Sequence, residues 1–310
     1  MAIELIDGTA DTTGAARIAS EVLRWLTFEP EAIEHLRAQT PTRRDWVAVL
    51  DGEKVGVGSC GVPLGMETSS AAMSMLFVVR QARHRGVGGA LYRQVSDHAR
   101  ALARSQLQMF SFEDDPDTAG FAEHHDFSVI GRTRGLRLPL ERCRRPAVDP
   151  PPGVEITTLA TRPDLAHGVW EVASEAMPDI PRTDDARMQA GNYEQFAARQ
   201  LAGPLYIPEA TFLAVAGERV VGYAQLGWMS RARGIANHEM IAVRGHWRGK
   251  GVAQALKAAQ IAWAIDNGLR ELRAGNDERN AAARAVNAHF PYAPLPDLLQ
   301  LRGPVASALG

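Results

Sequence analysis

Short runs in which apolar and polar residues alternate, at Ile3–Ile6 and Val154–Leu159, predict strands, and each leads into a stretch with apolar residues at helical spacing, Ala15–Trp25 and Leu165–Ala176. A second predicted helix follows in each case, near Pro30–Ala38 and Asp184–Leu201. Trp46–Leu50 then turns at Asp51-Gly52 into Lys54–Val62, and Thr211–Ala216 turns at Gly217-Glu218 into Val220–Met229. Both read as β-hairpins in which glycine supplies the positive φ of the turn. The apolar strands Met73–Val79 and His238–Val243 each run into a glycine-rich loop and then a helix. The helices have apolar stripes at Val87, Leu91, Val95 and Leu102, and at Val252, Leu256, Ala259 and Trp263. Closing segments at Met109–Phe112, Ala119–His125 and Phe127–Leu138 are matched by Glu271–Ala274, Ala281–Phe290 and the run from Tyr292 to Leu301. The expected fold is mixed α/β, with a mainly antiparallel sheet flanked by helices.

This order of elements occurs twice, so the chain reads as an internal repeat. Gly52-Glu53-Lys54-Val55 aligns with Gly217-Glu218-Arg219-Val220 at an offset of 165 residues, and the same offset links Arg83 to Arg248, Gly86 to Gly251 and Leu91 to Leu256. Between the copies lies a proline-rich seam that denies both helix and central strand. The expected organisation is therefore a first domain at residues 1–145, a linker at 146–153 and a second domain at 154–310. A length of 310 residues agrees with two domains at roughly 100–200 residues each.

Composition narrows the class. A hydrophobic fraction of 45% with 23% charged residues is ordinary for a globular protein, which removes disordered and collagen-like readings. With 34 basic and 36 acidic residues the formal charge is −2, so there is no global positive field to hold nucleic acid. No apolar run suits a membrane span, the N-terminus lacks the basic start of a secretory signal, and the only cysteines are Cys60 and Cys143. A cytoplasmic protein is expected, with no membrane partner. Nor do the histidines and cysteines show metal-ligand spacing, so no metal is expected. Only three of the basic residues are lysines, Lys54, Lys250 and Lys257.

The chemistry concentrates in the two loops, Arg83-His84-Arg85-Gly86-Val87-Gly88 and Arg248-Gly249-Lys250-Gly251-Val252-Ala253. Each fits Gln/Arg-x-x-Gly-x-Gly/Ala, a pattern that chance alone would produce about once in a chain like this. Context makes it specific, because both copies follow an apolar strand, open a helix and hold the same phase in the repeat. Small residues let the backbone approach an anion, while the first amides of the helix, free of intrahelical partners, point at phosphate oxygens. Arg83, Arg248 and Lys250 can add charge-assisted bonds.

Taken together, the loops and their flanking elements resemble the GNAT superfamily of acyl-CoA N-acyltransferases, twice in tandem and over nearly the whole chain. The closing segments Asn280–Tyr292 and Phe121–Phe127 resemble that superfamily's Asn-to-aromatic helix-and-strand motif. The resemblance implies acetyl-CoA as co-substrate, with its pyrophosphate on the loops. It also implies a bulged strand whose amides serve the pantetheine arm and the acyl carbonyl, at Ile241, Ala242 and Val243 in the second half and Phe77, Val78 and Val79 in the first. Asn280 falls where the superfamily often has an asparagine near the cofactor, and Asp115 stands at the same place in the first half. The tyrosine often used as general acid is replaced by Asn287 and Ala122, which leaves Tyr223 and Tyr292 as the nearest phenols by motif.

Glu239 is the candidate general base, on the strand leading to the second loop. Simple alternation puts it on one face with Ile241 and Val243, and His238 on the other as a core or surface histidine. The first half has Met75 four residues before Val79 and no carboxylate between Ser69 and Arg85. The second half is thus expected to be catalytic, with a first half that is degenerate or supporting. Glu239 also reads as a solvated strand residue or the partner of an arginine. The expected activity is acetyl transfer to a primary amine of a small molecule, and the acidic stretch Glu175–Asp185 would suit a cationic acceptor such as an amino sugar. The alternatives are a non-catalytic sensor of CoA or amino acids and an acyltransferase using a longer acyl-CoA. A monomer or homodimer is expected.

Overall fold

A computed structural model describes residues 2–23, 29–63, 66, 69–181 and 189–307. The chain forms two compact units, Met1–Thr133 with Pro296–Gly310, and Arg134–Leu295. Among the described residues no helix is long and apolar enough to cross a membrane.

The first unit runs β1 (Ile3–Asp7), α1 (Thr12–Val22), α2 (Pro30–Ala38), β2 (Arg44–Leu50), β3 (Glu53–Gly61), β4 (Ala71–Val78), α3 (Val87–Ala101), β5 (Gln106–Phe112) and α4 (Pro116–His124). It then enters β6 (Ser128–Pro139), whose last residues belong to the second unit. The second unit continues with β7 (Glu155–Thr158), α5 (Ala166–Ala176), α6 (Tyr193–Gln200), β8 (Tyr206–Ala216), β9 (Arg219–Ser230), β10 (Ile235–Val243), α7 (Val252–Asp266), β11 (Glu271–Asp277) and α8 (Ala281–Asn287). The last strand, β12 (Ala293–Pro304), carries the chain back into the first unit. The expected second helix at Asp184–Leu201 is shorter, starting at a capping box of Asn192 and Gln195, and residues 182–188 lie outside the described residues. Trp25, placed at the end of the first helix, is also outside them.

Local chemistry explains most element ends. Asp11, Asp115 and Asn280 each cap a helix by accepting a backbone N–H three residues on, from Gly14, Thr118 and Ala283. The β2–β3 hairpin turns through Asp51 and Gly52, with φ of 53° and 85°, a left-handed pair that suits the twist of adjoining strands. In the first unit the sheet order is β1-β2-β3-β4-β5-β12, with the first residues of β6 beyond; in the second it is the remainder of β6, then β11-β10-β9-β8-β7. Each unit has one parallel step, β4 with β5 and β10 with β11, while β1-β2-β3-β4, β5-β12 and β7-β8-β9-β10 pair antiparallel. In the second unit one core lies against α7, around Leu226, Ala236, Leu256 and Ile261, and the other against α5, around Val169, Val172, Leu213 and Tyr223.

The domain limits expected from sequence are displaced. Residues 134–145 pack in the second unit, with Leu138 and Leu140 in its core, while β12 pairs antiparallel with β5 from Leu298↔Phe112 to Pro304↔Gln106. Segment 146–153 is irregular, as its prolines require, but the compact units part elsewhere. The strands β6 and β12 are themselves related by the 165-residue offset, so each repeat's last strand completes the other repeat's sheet.

Candidate active site

Strand β10 is built around one extra residue. Its ladder with β9 runs His238↔Leu226 and then Met240↔Gln225, which leaves Glu239 unpaired as a β-bulge. Before the bulge Ala236 faces the α7 core; after it Ile241 and Val243 do, while Met240 and Ala242 pack on the α5 side. The inserted residue shifts the alternation, so Glu239 shares its face with Met240 and Ala242, not with Ile241 and Val243 as simple alternation implied. Its carboxyl lies over Gly227 of β9, where any Cβ would stand 2.9 Å from Oε1. Asn237 donates to the same oxygen at 3.2 Å. Glu239 is exposed, yet the surrounding wall desolvates its carboxyl enough to raise its pKa above the usual carboxylate value.

Beyond Asn237↔Arg273, β10 and β11 no longer pair. Because the Arg244 N–H donates to Val221 of β9, alternation turns the amides of Ile241 and Val243 toward that unpaired edge and that of Ala242 toward β9. In the first unit β4 separates from β5 in the same way after Met73↔Gln108, but its ladder with β3 is regular from Gly61↔Met73 to Gly56↔Val78. Phe77, Val78 and Val79 therefore lie at the end of an unbulged strand, in which Met75 is in register with Met240, Ser74 with His238, and Glu239 has no counterpart.

The loops share a frame and differ in charge. Gly251 and Gly86 cap α7 and α3 in the left-handed region, at φ of 87° and 86°. Val252 and Val87 are buried and anchor the helix starts. Arg248 Nε donates to the Val243 carbonyl at 3.0 Å and Arg83 Nε to that of Val78 at 3.2 Å, so each arginine ties its loop to the end of its strand. The outer guanidinium of Arg83 bonds Asp115 at 3.0 Å and Asp117 at 2.7 Å, and His84 Nε2 lies 3.3 Å from Asp117. Hence the first loop already has two carboxylates on the cations meant for phosphate. The counterparts of those aspartates in the second half are Asn280 and Ala282. At Gly249 and Gly251 a Cβ would meet nothing within 4 Å, so the second loop is open, and Lys250 Nζ stands 5.2 Å from the Trp247 ring centroid. Ala253 packs against the α7 core; Gly88, its counterpart, lies beside Phe121, and Arg85 pairs with Asp51.

The sequence profile of the acetyltransferase (GNAT) family matches residues 16–127 and again 171–289. The chain belongs to the GNAT acetyltransferase family. It is an acyl-CoA-dependent N-acyltransferase with two GNAT regions in tandem. Among solved structures, a GCN5-related N-acetyltransferase from Sphaerobacter thermophilus is 18% identical, with a TM-score of 0.73 over 99% of this chain and 97% of that one. A tandem GNAT protein from the clavulanic acid biosynthesis pathway is 21% identical, with a TM-score of 0.76 over 99% of this chain and 100% of that one. At these identities the likeness is one of fold. No curated protein sequence matches the chain significantly.

Within the GNAT frame the remaining candidates fall into place. Asn280 is the cap of α8, its Oδ1 taken by the Ala283 N–H at 3.0 Å. Asn287, at the usual tyrosine position, is buried and donates to Asn276 Oδ1. Tyr223 is fully buried in the α5 core and cannot reach a reacting group. The Tyr292 hydroxyl lies 2.6 Å from His238 Nε2, and His238 Nδ1 lies 2.8 Å from Gln260 Oε1. With that oxygen as acceptor, Nδ1 carries the proton and Nε2 accepts from the phenol. His238 is thus a core histidine, kept neutral by burial and by Lys257, which lower its pKa.

The acidic stretch expected to greet a cationic acceptor is largely spoken for: Glu175 binds Arg244 and the Gly245 N–H, and Asp179 binds Arg248 at 2.7 Å. Asp184 and Asp185 lie outside the described residues. Sequence reading missed Asn237 and the Asp115–Asp117 pair on Arg83, because neither contact leaves a mark in the local pattern. Among the described residues no cluster of His, Cys, Asp and Glu could hold a metal.

Proposed function

We propose that the second half transfers an acetyl group from acetyl-CoA to a primary amine of a small molecule by direct attack, with Glu239 as general base. The observation that supports this best is the bulge of β10, which brings a carboxylate of raised pKa to the face opposite α7 at the point where the sheet opens. Acetyl-CoA supplies an activated thioester. The open loop at Arg248–Ala253, with Lys250 and the first amides of α7, has the donors and the room to hold a pyrophosphate. The amides of Ile241 and Val243 can bind the pantetheine arm or the carbonyl oxygen as it gains charge. Glu239, directly or through a water, takes the proton of the attacking amine, and its raised pKa matches that task near neutral pH better than an ordinary carboxylate would.

Neither of the two phenols nearest by motif replaces the missing tyrosine, since Tyr223 is fully buried and Tyr292 is bonded to His238. Departure of the thiolate without a dedicated acid is consistent with its being a weak base. The first half, with a regular β4, no residue in the place of Glu239 and an acid-filled loop, is read as supporting. A thiol-release assay against a panel of amines tests the assignment. Glu239→Gln is expected to lower kcat by about 10²-fold with acetyl-CoA affinity unchanged, and equal turnover would remove Glu239 from the mechanism.

A further inference from the structure

Three positions on the α7 side of the second unit differ in polarity or charge from their counterparts 165 residues earlier, and they surround a fourth beside the bulge. Lys257 stands for Tyr92, Gln260 for Val95 and Tyr292 for Phe127, while His238 has the register place of Ser74, since the inserted Glu239 has no counterpart. In the first unit Tyr92, Val95 and Phe127 belong to an ordinary apolar cluster. In the second unit the substituted groups meet one another. His238 uses both ring nitrogens, at 2.6 Å on Tyr292 and 2.8 Å on Gln260, and Lys257 Nζ stands 5.0 Å from the centroid of the Tyr292 ring. His238, Lys257 and Gln260 are all buried, and Gln260 Nε2 has no partner among the described residues. A network of this kind costs free energy relative to the apolar packing in the first unit, so a role beyond packing is needed to account for it.

The role follows from where His238 sits. It is the last residue of β10 in register before the bulge, while β4, with Ser74 in its place, has no bulge at all. In a sheet with both faces buried, moving an inserted residue by one position would flip the side chain beside it to the other face. A histidine gripped on the α7 side through both nitrogens cannot flip. The extra residue must then be the next one, Glu239. We infer that His238, held by Gln260 and Tyr292, is a positioning residue that pins the bulge and thereby sets the Glu239 carboxylate and the amides of Ile241 and Val243 in their working places. This rests on the reading of Glu239 as the base, and it adds the means by which that base is held.

The test compares His238→Met, His238→Gln and Tyr292→Phe in the full-length protein, by steady-state acetyl transfer and by amide hydrogen exchange without substrate. His238→Met and Tyr292→Phe are expected to lower kcat about tenfold while the KM for acetyl-CoA changes less than about twofold. Exchange at residues 238–243 should accelerate in both. His238→Gln, whose amide can still bond both partners, should recover most of the loss. Tyr292→Phe reproduces the residue present at Phe127, so it keeps the test valid if His238→Met fails to fold. Unaltered exchange at 238–243, or acetyl-CoA affinity lost in parallel with kcat, would overturn the inference. If the wild-type protein transferred acetyl to no amine, the functional reading would fall, and the exchange measurement would still decide whether His238 pins the bulge.

Discussion

Arg83 donates to Asp117 at 2.7 Å, and 165 residues later Arg248 has Ala282 at the position of that aspartate. Both loop arginines thus have an internal carboxylate, but Arg83 has two partly buried ones at the start of α4, whereas Arg248 has the single exposed Asp179 and glycines that open onto free space. The strength of the Arg83 contact is modest, since both partners are partly solvated. Its meaning lies in the like-charge clash it would present to a pyrophosphate.

A matched pair of substitutions tests this asymmetry. Gly86 and Gly251 have nearly the same positive φ, so a glutamate strains each backbone to a similar degree. Calorimetric titration of the wild type with acetyl-CoA should give one site per chain. Gly251→Glu should abolish it and Gly86→Glu should leave it in place, whereas the reverse pattern would move the working site to the first half.

The pH dependence of turnover should carry the signature of Glu239. As a base it must be ionised, and desolvation raises its pKa above the usual carboxylate range. The rate therefore falls as pH drops through that raised value, and the acid limb of the kcat/KM profile lies above the range of an exposed glutamate. In Glu239→Gln the limb should vanish along with about 10²-fold of the rate. An acid limb that persists in the variant would belong to another group.

Lys257 should make stability rise with pH. Burial lowers its pKa from 10.5 to about 7, so the unfolded chain holds that proton between pH 7 and 10.5 while the folded chain does not. Its penalty is full below about pH 7 and is relieved as pH climbs toward 10.5. His238, whose pKa is also lowered, is already neutral across this window and adds no slope there. Thermal melts from pH 7 to 9.5 should show Tm climbing in the wild type and climbing less in Lys257→Met, with the variant the more stable at pH 7.

Gly303 reports on the exchanged strand. A Cβ at this position of β12 would lie 2.5 Å from the Phe127 ring. Gly303→Val should therefore cost about 1–3 kcal/mol or more through overpacking, seen as a lower denaturation midpoint in urea. An unchanged midpoint would mean that β12 does not cover Phe127.

Much of this protein was legible from sequence because the signals involved are local. Hydrophobic period, turn glycines and helix caps act over a few residues, so the repeat, the hairpins at Asp51-Gly52 and Gly217-Glu218 and the strand-loop-helix at Arg248–Ala253 could all be read in order. The GNAT resemblance rested on those same local features. What tertiary structure decided depends on choices that local pattern leaves equal. Strands β6 and β12 have the same place in the repeat, so either could complete either sheet, and only packing such as Gly303 under Phe127 selects the exchange. The facing of Glu239 was read wrongly because a single inserted residue inverts alternation, and a bulge leaves no mark in composition. Likewise Asp115 and Asp117 are ordinary helix-start residues until the fold lays them on Arg83. Sequence by itself determined the family, the repeat and the chemistry available; the third dimension determined which copy has the more open loop and which way its carboxylate points, because both depend on contacts between residues distant in the chain.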